Sequence, residues 1–233
     1  MINRTFSIIT LFVLFAASSL TAQEGSPNDM NAQIIKGKGF ISYPSYSGSP
    51  FLNAKFLNGE IEFLDGTKVK NLGLRYSSYR DELIYFNDYL SDQIVIDKIS
   101  IKGFSFTDIN STKRIFRRQN YDGFLTGERY FEVLSDGGIS LLAYRKVDLE
   151  SCDPSFSKLG LAYKQSYSYY MFAPNKGYSI LKLNRNSLLS KFDKPNQKLV
   201  RKVLRKNGVM ITDEASFVLA WNLIKENTIP IHF

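Results

Sequence analysis

Between Gly59 and Phe106 the chain alternates apolar and polar residues so regularly that most architectures are excluded at once. GEIEFLDGTKVKNLGLRY is two such runs meeting at Asp65-Gly66; DELIYF and QIVIDKISIKGFSF continue the pattern. A period of two places alternate side chains on opposite faces of a strand. Asp-Gly suits a two-residue hairpin turn, because both central positions take positive φ. The stretch predicts an antiparallel meander over about 51–106, with Gly103 marking a bulge.

The pattern persists downstream. FLTGERYFEVLSDGGISLLAYRKVDL reads as a second hairpin turning at Asp136-Gly137-Gly138. In it Tyr130 and Glu132 alternate with Phe131 and Val133, the signature of a strand with one buried face. LAYKQSYSYYMF and YSILKLN form a third pair around Asn175-Lys176-Gly177, with Pro174 at the strand's end, where a missing donor does little harm. After Asn184 the period changes to about 3.6. Asn186 is read as capping a short helix, SLLSKF. Pro195 opens a second helix with Gly208 just past its end. Thr212 is read as the cap of a third, DEASFVLAWNLIKEN, with Asp213 and Glu214 in its first turn. Strands first and helices last define an α+β protein. It is mainly antiparallel β, as meander and hairpins in a sandwich or open barrel, followed by two to three C-terminal helices. The expected organisation is a signal peptide (1–22), a flexible lead-in rich in Gly, Ser, Pro and Asn (23–50), with at most a short strand near Ile34–Ile41, an antiparallel β domain (51–184), and a basic helical region packed on it (185–233).

Residues 1–22 carry the leader signature: Arg4, then the apolar run FSIITLFVLFAASS, then small residues, with cleavage expected after Ala22. The run is too short to span a bilayer comfortably. No later segment reads as a transmembrane helix, and the terminal alternation Ile229–Phe233 is too short for a membrane barrel strand. Export to the periplasm, cell envelope or exterior is therefore expected. Cys152 is the sole cysteine, which excludes an intramolecular disulfide and leaves a small buried hydrophobe, the favoured reading, an intermolecular bridge or a reactive thiol. The formal charge of +8 is unevenly placed. From Pro174 onward there are 11 Lys and Arg against 4 Asp and Glu, whereas Gln23–Ala173 is balanced. Such asymmetry points to an anionic partner or surface.

Candidates for chemistry are few. The single histidine, His232, is one residue from the C-terminus, and no Gly-rich phosphate loop is present. Ser155 and Lys158 have the S-x-x-K spacing without its companion motifs. Glu60 with Glu62, and Glu128 with Glu132, share strand faces, as solvated carboxylates also do. No catalytic residue, metal ligand or cofactor site is assigned, and nucleic acid is not an expected partner at an exported address. Two features suggest binding. Tyr167, Tyr169 and Tyr170 lie in a Tyr-rich strand and can stack on flat ligands such as sugar rings, or build a β core. Lys198, Arg201, Lys202 and Arg205 recur at i, i+3, i+4 and i+7, one face of a helix whose other face is Leu199, Val200, Val203 and Leu204.

The stretches GSPFLNAKFLNGEIEFLDGTKVKNLGLRYSSYRDEL and GERYFEVLSDGGISLLAYRKVDL, with the basic helical C-terminus, resemble a loose group of exported β-rich proteins of Bacteroidetes-type bacteria over about residues 48–226. The shared motifs are turns and strand patterns, so the resemblance implies location and architecture and no catalytic residue. The expectation is a non-enzymatic envelope protein that contacts another envelope protein, a glycan or an anionic surface. The alternative is a hydrolase with acid/base carboxylates from separate strands, which requires a cleft holding two carboxylates of raised pKa.

Overall fold

Among the described residues, eleven strands pair antiparallel into one sheet that does not close, followed by three helices. The structure is a computed structural model and describes residues 35–121, 127–153, 155, 157 and 159–232. The expected leader, residues 23–34 of the lead-in, Lys158 and Phe233 lie outside the described residues. The strands are β1 (Gly37–Gly39), β2 (Leu57–Phe63), β3 (Lys68–Ser77), β4 (Glu82–Asn87), β5 (Asp92–Ile96), β6 (Ile101–Thr107), β7 (Lys113–Asn120), β8 (Glu128–Ser135), β9 (Ser140–Ser151), β10 (Leu161–Ala173) and β11 (Gly177–Leu181). The helices are α1 (Arg185–Leu189), α2 (Lys194–Lys206) and α3 (Glu214–Glu226). Strand order is β1-β5-β4-β3-β2-β6-β7-β8-β9-β10-β11. No helix among the described residues is long and apolar enough to cross a membrane.

The meander expected over 51–106 is present, with one local difference. The first hairpin loop is Leu64-Asp65-Gly66, closed by Phe63 N donating to Thr67 O at 2.9 Å, and only Gly66 has positive φ, at 87°. That is the three-residue loop ending in a left-handed glycine, with Asp65 Oδ1 accepting from Thr67 N at 2.8 Å. The bulge is at Gly103 as expected: Glu62 pairs with Gly103 and Phe63 with Ile101, which leaves Lys102 as the extra residue on β6. A side chain at 103 would meet the Phe116 carbonyl oxygen at 2.4 Å, so the close approach of β6 and β7 requires glycine.

The sheet coils until distant strands touch. Four residues, 97–100, carry the chain from β5 to β6, although three strands separate these two in the sheet. Tyr76 of β3 lies 5.3 Å from Phe116 of β7 and 6.1 Å from Tyr130 of β8, ring to ring. The β3–β4 turn meets β8 and β9 across the open roll: Tyr130 N donates to Asp81 Oδ1 at 3.3 Å and Val147 N to Ser78 O at 3.1 Å. Asp81 also receives Tyr76 Oη and Lys98 Nζ, both at 2.6 Å. Burial pushes the Asp81 carboxyl up, against the opposing pull of Lys98.

Three apolar clusters follow from this shape. One fills the roll, around Leu74, Tyr76, Phe104, Phe116 and Tyr130. A second lies between the helices and β9–β11, joining Leu141, Met171 and Leu181 to Val200, Leu204, Phe217 and Trp221. A third, aromatic, occupies the reverse of β8–β10: Tyr121, Phe131, Leu142, Tyr144 and Tyr170. β8 thus buries both faces, Tyr130 and Glu132 on one and Phe131 on the other. The single buried face expected from its alternation is corrected here, because the sheet is covered on both sides at that strand.

The helix boundaries carry their own corrections. Asn184, two residues before the expected cap, accepts from Ser187 N at 2.8 Å to start α1. Asp213, rather than Thr212, caps α3 in a reciprocal box with Ser216. Pro195 in the first turn and Gly208 after the end bracket α2 as expected, Gly208 at φ 65°. The lead-in expected to be flexible is tied to the sheet from Ile35 onward: β1 pairs with β5, and Ser47 bridges to Ala162 in β10.

At the β8–β9 tip, Arg117 forks onto both carboxylate oxygens of Asp136, which also accepts from Gly137 N at 2.9 Å. These bonds, Arg117 foremost, lower the Asp136 pKa to about 2. Protonation then favours the unfolded chain, where the carboxyl titrates near about 3.9. The contribution is fully present above pH ~4 and lost as pH falls toward 2. Both side chains are largely exposed, so it is worth no more than about 1 kcal/mol at neutral pH. Urea titrations of Asp136→Asn are expected to show a small deficit at pH 7 that vanishes at pH 2. A deficit constant with pH would mean the pair is not its source.

Candidate functional site

Helix α2 is a thirteen-residue segment, KPNQKLVRKVLRK, with six cations and no acid. Asp193 caps it by accepting from Asn196 N at 2.8 Å, and Arg205 and Lys206 in the last turn oppose the negative end of the helix dipole. Val200 and Leu204 are buried, fixing the rotation of the helix on its neighbours. Lys194, Lys198, Arg201, Lys202, Arg205 and Lys206 are therefore all turned outward and exposed. Leu199 on the rim is 50% exposed, and Met210 just beyond the helix 77%.

What sets these cations apart is that six without an ion pair share one short helix. Among the described residues, eleven Lys and Arg of the sheet region hold a carboxylate within 4 Å, from Lys38 with Glu82 to Lys164 with Glu150. No ion pair among the described residues involves α2's six. The acid nearest the helix in sequence, Asp193, caps it and lies 3.7 Å from His232 Nε2. His232 is exposed on the tail, anchored by its backbone N to Lys191 O at 2.8 Å.

The three tyrosines go elsewhere and do not act together. Tyr167 and Tyr169 lie on the helix-covered face, Tyr170 on the other. The Arg145 guanidinium sits 4.7 Å from the centre of the Tyr167 ring, and Tyr169 Oη donates to Glu214 Oε2 at 2.7 Å. Burial and then Glu214 hold the Tyr169 hydroxyl well above its ordinary pKa. Tyr170 is buried in the aromatic cluster, edge-on to Tyr121 at 5.3 Å, and burial pushes its hydroxyl up to about 12. Tyr167 and Tyr169 border an open groove of about 390 Å³ with Ile180 and Leu183. No hydrogen bond or ring contact among the described residues joins the tyrosines to α2's cations.

Tyr167 and Tyr169 instead flank a buried ion network that the sequence did not announce. Arg114 forks onto Glu132 at 2.6 and 2.7 Å, and Arg145 Nε donates to the same carboxylate at 2.5 Å. Arg145 then forks onto Glu214, in the first turn of α3, at 2.6 and 2.7 Å. Burial pushes Glu214 up, but the Arg145 bonds and charge outweigh it and leave the carboxyl below its ordinary range. The network ties α3 to the sheet. The lowered Glu214 carboxyl is held ionised by a fixed cation, the wrong poise for acid/base exchange. The strand pairing Glu132↔Ala143, which puts Arg145 on the same face, is the signal that could have found it.

Two further concavities hold carboxylates. A groove of about 440 Å³ on the outer face of β2, β6 and β7 contains Glu60 and Glu62. Glu62 is bonded to Lys102 at 2.6 Å, which lowers its pKa, and Glu60 lies 3.9 Å from Lys70. The mouth beside β1, about 600 Å³, contains Asp81 bridged to Lys98. No group of three or more His, Cys, Asp or Glu suited to a metal occurs among the described residues. No protein-family model matches the chain, nor does any curated protein or solved structure.

Proposed function

We propose that the protein is an exported, non-enzymatic module of the cell envelope that docks through α2 onto an anionic surface of phospholipid headgroups. The observation that carries this reading is the unpaired state of α2's six exposed cations, in a chain whose sheet cations are extensively paired with carboxylates. Six like charges on one short helix repel each other, so an opposing surface gains more than a compensated patch would. Exposed Leu199 and Met210 beside them suit shallow contact with the acyl boundary. The leader expected at residues 1–22 supplies the address. The hydrolase reading is less well supported: it needs two carboxylates of raised pKa across one cleft, whereas the raised Asp81 is bridged to Lys98 and Glu62, in a different groove, is lowered and bound to lysine.

The test is co-sedimentation of the mature protein with vesicles. Binding is expected to phosphatidylglycerol-containing vesicles, to be weak on pure phosphatidylcholine, and to fall as salt shortens the screening length. Each Lys or Arg at such a surface contributes about 1 kcal/mol. Lys198, Arg201, Lys202 and Arg205 replaced together by Gln should therefore lose about three orders of magnitude in affinity at low salt. Thermal unfolding should be unchanged, because all four side chains are exposed. A variant that binds within twofold of the parent would overturn the reading.

A further inference from the structure

Residues 40–51 form a strap across the outer face of β3–β5, and beneath it lies an arginine without a counter-charge. The Arg75 guanidinium is stacked between two rings, 3.9 Å from the centre of Phe51 and 4.4 Å from that of Phe56. It donates from Nη2 to Gln93 Oε1 at 2.9 Å, while its Nε is buried with no acceptor. No carboxylate lies within ion-pair distance of it among the described residues, and burial lowers its pKa, with only Tyr43 opposing. Stacking fixes the guanidinium plane but neutralises nothing. A desolvated charge left this way costs free energy that an anion reaching the outer nitrogens of the guanidinium would recover.

The guanidinium borders an open cavity of about 330 Å³, at the small end of the range for ring-sized ligands. Its walls are aromatic: Phe40, Tyr43, Tyr46, Phe51 and Tyr163. Two of the three hydroxyls are already engaged inside the protein, Tyr43 Oη donating to Ser77 at 2.8 Å and Tyr163 Oη to the Pro44 carbonyl at 3.1 Å. These walls thus offer ring faces, whereas Ser42, Ser45 and Gln93 add polar groups to the lining. A complementary ligand has an apolar ring face, peripheral hydroxyls and one anionic group.

We propose that this groove binds an acidic sugar unit, its carboxylate received by Arg75 and its ring stacked on the strap's tyrosines. A fixed guanidinium fork matches a carboxylate in two parallel bonds, and an aromatic face matches the C–H face of a pyranose. The polar lining favours a hydroxylated ring over an aromatic acid of the same size. The site is separate from α2, so it stands or falls independently of membrane docking.

The experiment is calorimetric titration of the mature protein with D-glucuronate, D-glucose and benzoate, with the Arg75 Nε–Hε resonance followed by NMR. That resonance is identified by its loss in Arg75→Lys. Glucuronate should shift it saturably and bind at least tenfold more tightly than either glucose or benzoate. Arg75→Lys keeps the charge but loses the planar fork, and should weaken glucuronate at least tenfold. Tyr46→Ala, at the partly exposed end of the groove, should weaken it several-fold with no change in the unfolding temperature. Equal binding of glucose would overturn the role of the charge, and tighter binding of benzoate would overturn the sugar. Undiminished affinity in Arg75→Lys, or no response to glucuronate, would overturn the site altogether.

Discussion

Replacing Arg145 by Met is expected to lower the unfolding free energy by about 3–5 kcal/mol, the cost of breaking a buried ion cluster by removing one partner. Arg145 is 3% exposed and bridges Glu132 of β8 to Glu214 of α3. Without it Glu132 keeps Arg114 but loses its second cation, and Glu214 keeps only the Tyr169 hydroxyl. The check is a urea titration with the slope compared as well as the midpoint. Replacing Arg114, Glu132 and Glu214 as well, by Met, Leu and Leu, removes the stranded Glu214 carboxylate together with the remaining pair, so the quadruple variant should be more stable than Arg145→Met alone. If the quadruple variant were the less stable, the charges would be supplying net stability, and the interpretation as a costly but specific clamp would fail. What the network gains for the fold is orientation: it fixes where α3 begins on the sheet, and α3 shares its apolar cluster with α2.

That network also marks where sequence reasoning ran out. Alternation reads a charged residue between apolar ones as a solvent face, and Glu132 sits in such a pattern. The inference fails because the helices arrive later in the chain and cover that face, a link from residue 132 through Arg145 to residue 214 that no local period encodes. The strap is illegible for a related reason. Its Gly, Ser and Pro content has no period, and its order comes from pairing Ser47 with Ala162 and from rings that meet across the sheet. Arg75 lies in a run that predicted its strand correctly, yet its isolation from acids depends on that strap.

By contrast, the hairpins were legible because glycine turns and strand alternation are local properties. The open, coiled single sheet with helices after it fits the expected α+β class. The basic face of α2 was legible as well, since a 3.6-residue period and the spacing of Lys198, Arg201, Lys202 and Arg205 need no tertiary context. Its unpaired state was not, because pairing depends on which acids the fold brings near.

Phe217→Ala is the complementary test, addressed to the apolar side of the same helix. Phe217 is fully buried in α3, one turn before Trp221, in the cluster that holds Leu188, Val200 and Leu204. Removing a buried ring and leaving a cavity costs about 3–5 kcal/mol. A thirteen-residue helix is marginal by itself in water, so α3 depends on this packing for its helicity. Trp221 is the only tryptophan in the chain and reports directly on the cavity. In urea, its fluorescence and the far-UV circular dichroism should shift together to a lower midpoint. The coupling has named carriers: Arg145 to Glu214 at one end of α3, Ser135 to Asn222 at 2.7 Å, and Lys225 to the Asp136 carbonyl at the other. Tryptophan fluorescence moving ahead of the circular dichroism would show that the helices melt off an intact sheet. The ion network would then be too weak to join the two layers, and Arg145→Met should in that case cost far less than 3 kcal/mol.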